Sequence, residues 1–179
     1  GVVRVDGVDV RDVDQKTLRE DIGYIPQKGI LLSGTVEENL KYGNQGASDE
    51  QVLKALEIAQ GNFILDKEEG LQYRIAQGGT NVSGGQRQRL SIARALVRDA
   101  SIYIFDDSFS ALDFKTDQLL RKAIHENYED ATLMIVAQRV NTIIDADQII
   151  VLDEGKMVGI GTHQELLKSS ATYYEIAAS

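Results

Sequence analysis

Asn81-Val82-Ser83-Gly84-Gly85-Gln86-Arg87-Gln88-Arg89-Leu90 sets a serine and two glycines directly ahead of a helical pattern that runs from Gln86 to about Arg98. Such a junction turns free backbone N–H groups, a hydroxyl and the positive end of a helix dipole toward an anion. The glycines allow close approach because no Cβ intervenes. Taken alone, the run reads equally well as an ordinary helix cap. The segment that follows separates the two readings. Ile102-Tyr103-Ile104-Phe105-Asp106-Asp107 has the pattern of a buried strand that ends in two carboxylates.

Working outward, the chain has 179 residues, 42% of them hydrophobic and 26% charged, which suits one soluble globular domain with a real core. Its formal net charge of -9, from 28 acidic and 19 basic residues, disfavours broad nucleic-acid binding. A local basic group, Arg87, Arg89, Arg94 and Arg98, survives within it and reads as a solvated or ion-paired helix face. There is no cysteine, which excludes disulfides and thiolate metal sites. His125 and His163 stand too far apart in sequence to suggest a ligand cluster. No run of 18 or more apolar residues and no signal-peptide pattern occurs.

Val2 to Val5 and Val8 to Val10 alternate across Asp6-Gly7 and predict a β-hairpin. Asp14 opens a short helix to about Glu20, and Ile22 to Ile25 reads as a buried strand stopped by Pro26. Capping boxes mark three helix starts: Thr35 with Glu38, Ser48 with Gln51, and Thr162 with Glu165. The stretch from about 35 to 98 is nearly all helical in pattern, with Leu53, Leu56, Ile58 and Ala59 on one face. Beyond it, 102–106, 132–136 and 148–152 predict strands, with a helix at about 115–128. Met157 to Ile160 reads as a last strand, and Thr162 to about Ala177 as one amphipathic closing helix. Strands alternating with helices argue a parallel or mixed sheet covered on both faces.

These motifs resemble the nucleotide-binding domain of ABC transporters. Residues 82–86 are similar to the family's signature motif, with Val82 where leucine is usual, and 102–106 to its Walker B strand. The resemblance implies an α/β, P-loop NTPase-like mixed sheet flanked by helices. It places the sheet core at 1–33 and 99–179 and an inserted helical signature lobe at about 34–98. It also implies ATP and Mg²⁺ as ligands. Asp106, at the end of an apolar strand, is suited to the metal. Gln27, after Tyr24-Ile25-Pro26, takes the place of the Q-loop glutamine, which senses Mg²⁺ and the γ-phosphate near the transmembrane coupling region. Ser110-Ala111-Leu112-Asp113 matches the D-loop. The runs 34–40 and 5–10 resemble the exporter subfamily.

Two positions depart from the family pattern. The residue after Asp106 is normally glutamate, which polarises the attacking water; here it is Asp107, whose carboxylate is drawn back by roughly 1.5 Å, about one carbon–carbon bond. The switch histidine is replaced by Gln138, an amide that can bond a phosphate but cannot exchange a proton near neutral pH. Asp107 and Gln138 together resemble the degenerate half of a heterodimeric exporter. In that family, domains dock head to tail. Ser83, Gly84, Gly85, Gln86 and Asp113 would then serve the partner domain's ATP, while Gln27, Asp106, Asp107 and Gln138 form this chain's own, weaker site. The implied partners are a second nucleotide-binding domain and a transmembrane domain, which places the chain at the cytoplasmic face of the cell membrane.

A phosphate-binding loop G-x-x-x-x-G-K-[ST] is absent from the 179 residues; the Gly155-Lys156 pair is followed by Met157. In the family that loop precedes the hairpin with which this chain begins. Gly1 therefore reads as an internal start, and the segment alone is expected to bind ATP weakly or not at all. Two other classes remain in view: a soluble, non-transport ABC ATPase, and an interaction module without catalysis.

Overall fold

The computed structural model describes residues 1–178. They form two compact units, one from Gly1 to Val136 and one from Ala137 onward.

The first unit opens with a hairpin of β1 (Arg4–Val5) and β2 (Val8–Asp9). Asp6 and Gly7 turn it, with φ of 49° and 80°; two successive left-handed residues match the strand twist in a two-residue turn. Next come α1 (Gln15–Glu20), whose first N–H groups bond the Asp14 carboxylate, and β3 (Ile22–Ile25). β4 (Gly34–Thr35) leads into α2 (Val36–Lys41) and α3 (Asp49–Ile58). β5 (Arg74–Ile75) pairs antiparallel with β4. The unit closes with α4 (Gly84–Leu96), β6 (Ile102–Asp106), α5 (Phe114–Asn127) and β7 (Thr132–Val136).

β3, β6 and β7 form a parallel sheet in that order, with Ile25 opposite Phe105 and Asp106 opposite Val136. One face carries Gly23, Ile25, Tyr103 and Phe105, all buried, against a core that includes Leu90, Leu96, Leu120 and Ile124. Tyr103 resolves the problem of a buried phenol by accepting the Ala100 N–H at 3.0 Å and standing edge-on to Tyr128 at 5.0 Å. Phe105 stacks on Phe109 at 5.1 Å. Parallel strands of this kind deliver their C-terminal ends, and the loops that follow them, to one edge.

The second unit holds β8 (Ile149–Asp153) and β9 (Lys156–Gly161), an antiparallel pair with an irregularity at Val151/Leu152. α6 (His163–Ser169) and α7 (Ala171–Ala178) follow. Ile149, Val151, Leu166 and Tyr173 form its own small core. The phenol of Tyr173 lies 2.8 Å from His163 Nδ1.

The α/β class holds, and so do the strands and most helices. Among the described residues Tyr24, Met134 and Val136, on the sheet face away from the core, are half or more exposed. Four expectations need correction. The stretch 35–98 is not nearly all helical, because 60–83 is built of short 3₁₀ turns around β5. Leu53 is exposed, and the buried face of α3 uses Val52, Ala55, Leu56 and Ile58. The closing helix is two helices, broken where Ser170 turns extended (φ −123°, ψ 109°) and its hydroxyl accepts the Tyr173 N–H. Finally, α4 begins at Gly84, so the glycines are its first turn. All three predicted capping boxes are present, and Ser83 with Gln86 makes a fourth.

Candidate functional site

The polar edge of the sheet is assembled from strand ends. Gln27, two residues past β3, donates its amide N–H to Asp107 Oδ2 at 3.1 Å. Tyr24, within β3, donates its hydroxyl to Asp106 Oδ2 at 2.9 Å. That bond, more than burial, raises the Tyr24 pKa above the usual phenol value, since ionising the phenol would face a carboxylate with a second negative charge.

Asp107 is buried and holds a left-handed backbone with φ of 46°. Among residues with a side chain, aspartate and asparagine tolerate that region best. Its backbone is pinned on both sides. The Asp107 N–H donates to Val136 O at 3.0 Å, and its carbonyl accepts from Ser110 Oγ at 2.8 Å. The fully buried Ser108 donates its hydroxyl to Ile25 O at 3.0 Å, which ties the ends of β3 and β6 together. Three strand ends thus hold two adjacent carboxylates and one amide in place.

The donors offered here are oxygens: two carboxylates and, on rotation, the Gln27 amide carbonyl. Magnesium characteristically takes one or two carboxylates and completes its shell with water and phosphate oxygens. Among the described residues no cluster of three or more acidic or histidine side chains forms a closed cage. An open edge with the Asp106 carboxylate and, on rotation, the Gln27 amide oxygen therefore fits a magnesium ion that arrives with a phosphate ligand.

The second feature is the start of α4. Ser83 Oγ accepts the Gln86 N–H at 3.2 Å, and Gln86 Oε1 accepts the Ser83 N–H at 3.0 Å. These reciprocal bonds fix the turn while the N–H groups of Gly84 and Gly85, in the first helical turn, have no intrahelical carbonyl to bond. A Cβ on Gly84 would meet open space, and one on Gly85 would stand 3.4 Å from Ala111 O. The backbone at Ala111 therefore lies close against Gly85. Asp113 caps α5 with bonds to Thr116 N at 3.0 Å and Thr116 Oγ at 2.7 Å. The Thr116 N–H, then the hydroxyl, hold its carboxyl below the usual range.

The four arginines of α4 and its end are neither solvated nor ion-paired in the way the pattern suggests. Arg87 donates to Gly79 O at 3.1 Å, Arg89 to Gln60 O at 2.8 Å, and Arg98 to Glu20 O at 3.1 Å. Arg89 also lies over the Phe63 ring at 4.6 Å. Burial lowers the pKa of Arg94. Three of these four guanidinium groups thus bond backbone carbonyls, a use that hydropathy does not reveal.

Gln138 lies in the second unit, exposed, two residues beyond the end of β7. The sequence pattern did not single out Tyr24, Ser108 or Gln88, since each acts on a residue far away in the chain. The Ser83–Gln86 box carried the same S-x-x-Q signal as Ser48–Gln51 and was legible.

A family model described as "ABC transporter" matches residues 1–110. The chain is similar over its whole length, at 48% identity, to an uncharacterized ABC transporter ATP-binding protein of Mycobacterium tuberculosis, of which it spans 31%. It is 39% identical to an ATP-dependent lipid A-core flippase of Syntrophus aciditrophicus, with 98% of the chain and 30% of that protein covered. Among solved structures, a bacterial Atm1-family ABC exporter with ATP bound superposes with a TM-score of 0.94 at 36% identity, covering 98% of the chain and 31% of the exporter. The chain thus spans about a third of the length of these relatives.

Proposed function

Because the chain belongs to the ABC transporter family, we propose that it is the ATP-binding part of an exporter that couples ATP binding and hydrolysis to movement of a substrate across a membrane. The observation that carries this reading is the strand-end constellation: Gln27 bonded to Asp107 beside Asp106, at the C-terminal edge of a parallel sheet. Asp106, with Gln27, is the metal-holding pair. Bound magnesium would supply positive charge to the phosphate oxygens of ATP.

Asp107 is the acceptor nearest the chemistry, and the Gln27 amide fixes its carboxylate orientation. As a general base it reaches less far than a glutamate would. Gln138 takes the switch role by its place after β7; it can donate a hydrogen bond to a phosphate without exchanging a proton. This chain's own site is therefore the slow one of a heterodimeric pair. Ser83, Gly84, Gly85 and Gln86, with Asp113 in the D-loop, complete the partner domain's site. The sheet core is 1–33 with 99–179, and about 34–98 is the signature lobe. Without a phosphate-binding lysine loop in its sequence, the 179-residue segment by itself is inactive.

A transmembrane domain is the second partner and sets the location at the cytoplasmic face of the cell membrane. No described helix is long and apolar enough to cross a membrane. A groove of about 340 Å³ beside the Gln27 loop supports that docking, lined by Tyr24, Ile30, Leu32, Tyr42, Arg94 and Arg98. Tyr24, Ile30, Leu32 and Tyr42 are exposed apolar side chains there, as suits a helix end inserted from a partner.

The test is ATP hydrolysis by the intact protein with its partner. Replacing Asp107→Glu together with Gln138→His should raise turnover at this chain's own site by about tenfold. Unchanged single-site turnover would contradict the slow-site assignment.

A further inference from the structure

Gln88 is a glutamine 1% exposed, in the second turn of α4. A buried primary amide must satisfy both its donor and acceptor ends, and Gln88 does so on one short stretch of another segment. Its Oε1 accepts the Gly29 N–H at 2.7 Å, and its Nε2 donates to Pro26 O at 3.0 Å. The side chain therefore grips both ends of Pro26-Gln27-Lys28-Gly29.

Gly29 provides an independent sign of close docking. A Cβ there would lie 3.0 Å from Arg87 O and 3.1 Å from Gln88 Cα, so the segment rests directly on the α4 backbone. Between the two gripped points stands Gln27, whose amide bonds Asp107. Five residues before Gln88 lies Ser83, whose capping box shapes the signature turn. A continuous path of hydrogen bonds and rigid helix thus runs from Asp107 through Gln27, the 26–29 backbone and Gln88 to Ser83–Gln86.

We propose that Gln88 is a positioning residue: it makes the signature turn, which completes the partner's ATP site, move with the Gln27 segment, which reads this chain's own site. The inference rests on the functional reading given above. It predicts that a change confined to Gln27 reaches the partner's site through the Gln88 amide. Two observations, the paired amide bonds and the glycine-only contact, place the link at this point of α4.

A double-mutant cycle in the intact protein with its partner tests it, reading steady-state kcat and KM for ATP in Gln27→Ala, Gln88→Leu and the double variant. Gln88→Leu should lower kcat about tenfold with KM within about twofold, and the double variant should lose no more than about twofold beyond the worse single variant, because both break one path. Losses that multiply would overturn the proposal, since a merely structural Gln88 would act independently of Gln27. So would an unchanged kcat in Gln88→Leu.

Where the leucine variant does not fold, Gln88→Glu replaces it in the same cycle. Its carboxylate retains the acceptor for Gly29 N–H and loses the donor to Pro26 O, so a smaller but equally non-additive loss is expected; additive loss or none overturns the link. Absence of hydrolysis by the unsubstituted protein would sink the functional reading and the positioning role with it. Hydrolysis that is intact but indifferent to Gln88 would sink the positioning role alone.

Discussion

At the start of α4, Ser83 and Gln86 close their turn across three residues of sequence, whereas at the strand ends Gln27 meets Asp107 across 80 residues and Tyr24 meets Asp106 across 82. The first arrangement is encoded locally: a short side chain, two glycines and a glutamine at the right spacing suffice. The second exists only when β3 and β6 have found their register, because each bond joins the end of one strand to the end of the other. A helix start of this kind keeps its internal geometry when the helix shifts as a body, because its bonds lie within one turn. A strand-end site inherits every shift of the sheet and loops that build it. On the functional reading proposed above, the contrast separates a turn that holds its own shape from an edge whose shape depends on the sheet, with Gln88 joining them.

The contrast breaks most severely when the core under the edge is removed. Phe105→Ala empties a fully buried position stacked on Phe109 and should cost about 3–5 kcal/mol. In a denaturant melt it should lower stability by that amount; a loss under 1 kcal/mol would deny that the strand ends depend on this packing. Next, Gly84→Asp sets a carboxylate where the helix start offers N–H groups. In the intact protein it should reduce turnover at the partner's site by about 100-fold, with this chain's own site far less affected. Equal loss at both sites would contradict the head-to-tail assignment.

Ser83→Ala sharpens the local side of the comparison. It removes one member of the capping box and should cost about 1 kcal/mol, with a melting profile that keeps its cooperativity. A loss near that of Phe105→Ala would mean that the turn depends on more than its own residues. The smallest effect is expected at Ser91, whose buried hydroxyl finds no hydrogen-bond partner among the described residues. Ser91→Ala removes an unsatisfied polar group and improves helix propensity, so stability should rise by about 0.5 kcal/mol. A measured loss of that size would reveal a partner for the hydroxyl.

Much of the fold was legible because it is marked by local signals. Ile22–Ile25 and Ile102–Asp106 are apolar runs with clear stops, and three capping boxes announced helices at their first residue. The two-residue strands Gly34–Thr35 and Arg74–Ile75 carry no period long enough to detect. The break at Ser170 also escaped, since the apolar pattern continues across it and a serine hydroxyl bond makes the turn. Leu53 was misplaced because a ten-residue helix tolerates an exposed leucine at its margin.

At the candidate site, Asp106, Asp107 and Gln27 stand out in the sequence, but the bonds Gln27–Asp107 and Tyr24–Asp106 do not. Tyr24, Ser108 and Gln88 act on residues 59 to 83 positions away, and nothing in a single sequence pairs them. Asp107 shows why geometry matters to its reading. Its left-handed backbone favours aspartate on conformational grounds, beside the chemical argument from its shorter reach.

The most direct measurement is a single-turnover chase of labelled ATP in the intact protein with its partner, resolving loss of label from each of the two sites. The account predicts two phases, with the slow phase assigned to the site built on Asp106 and Asp107 and accelerated by Asp107→Glu with Gln138→His. One phase shared by both sites, unmoved by that pair of substitutions, would contradict it.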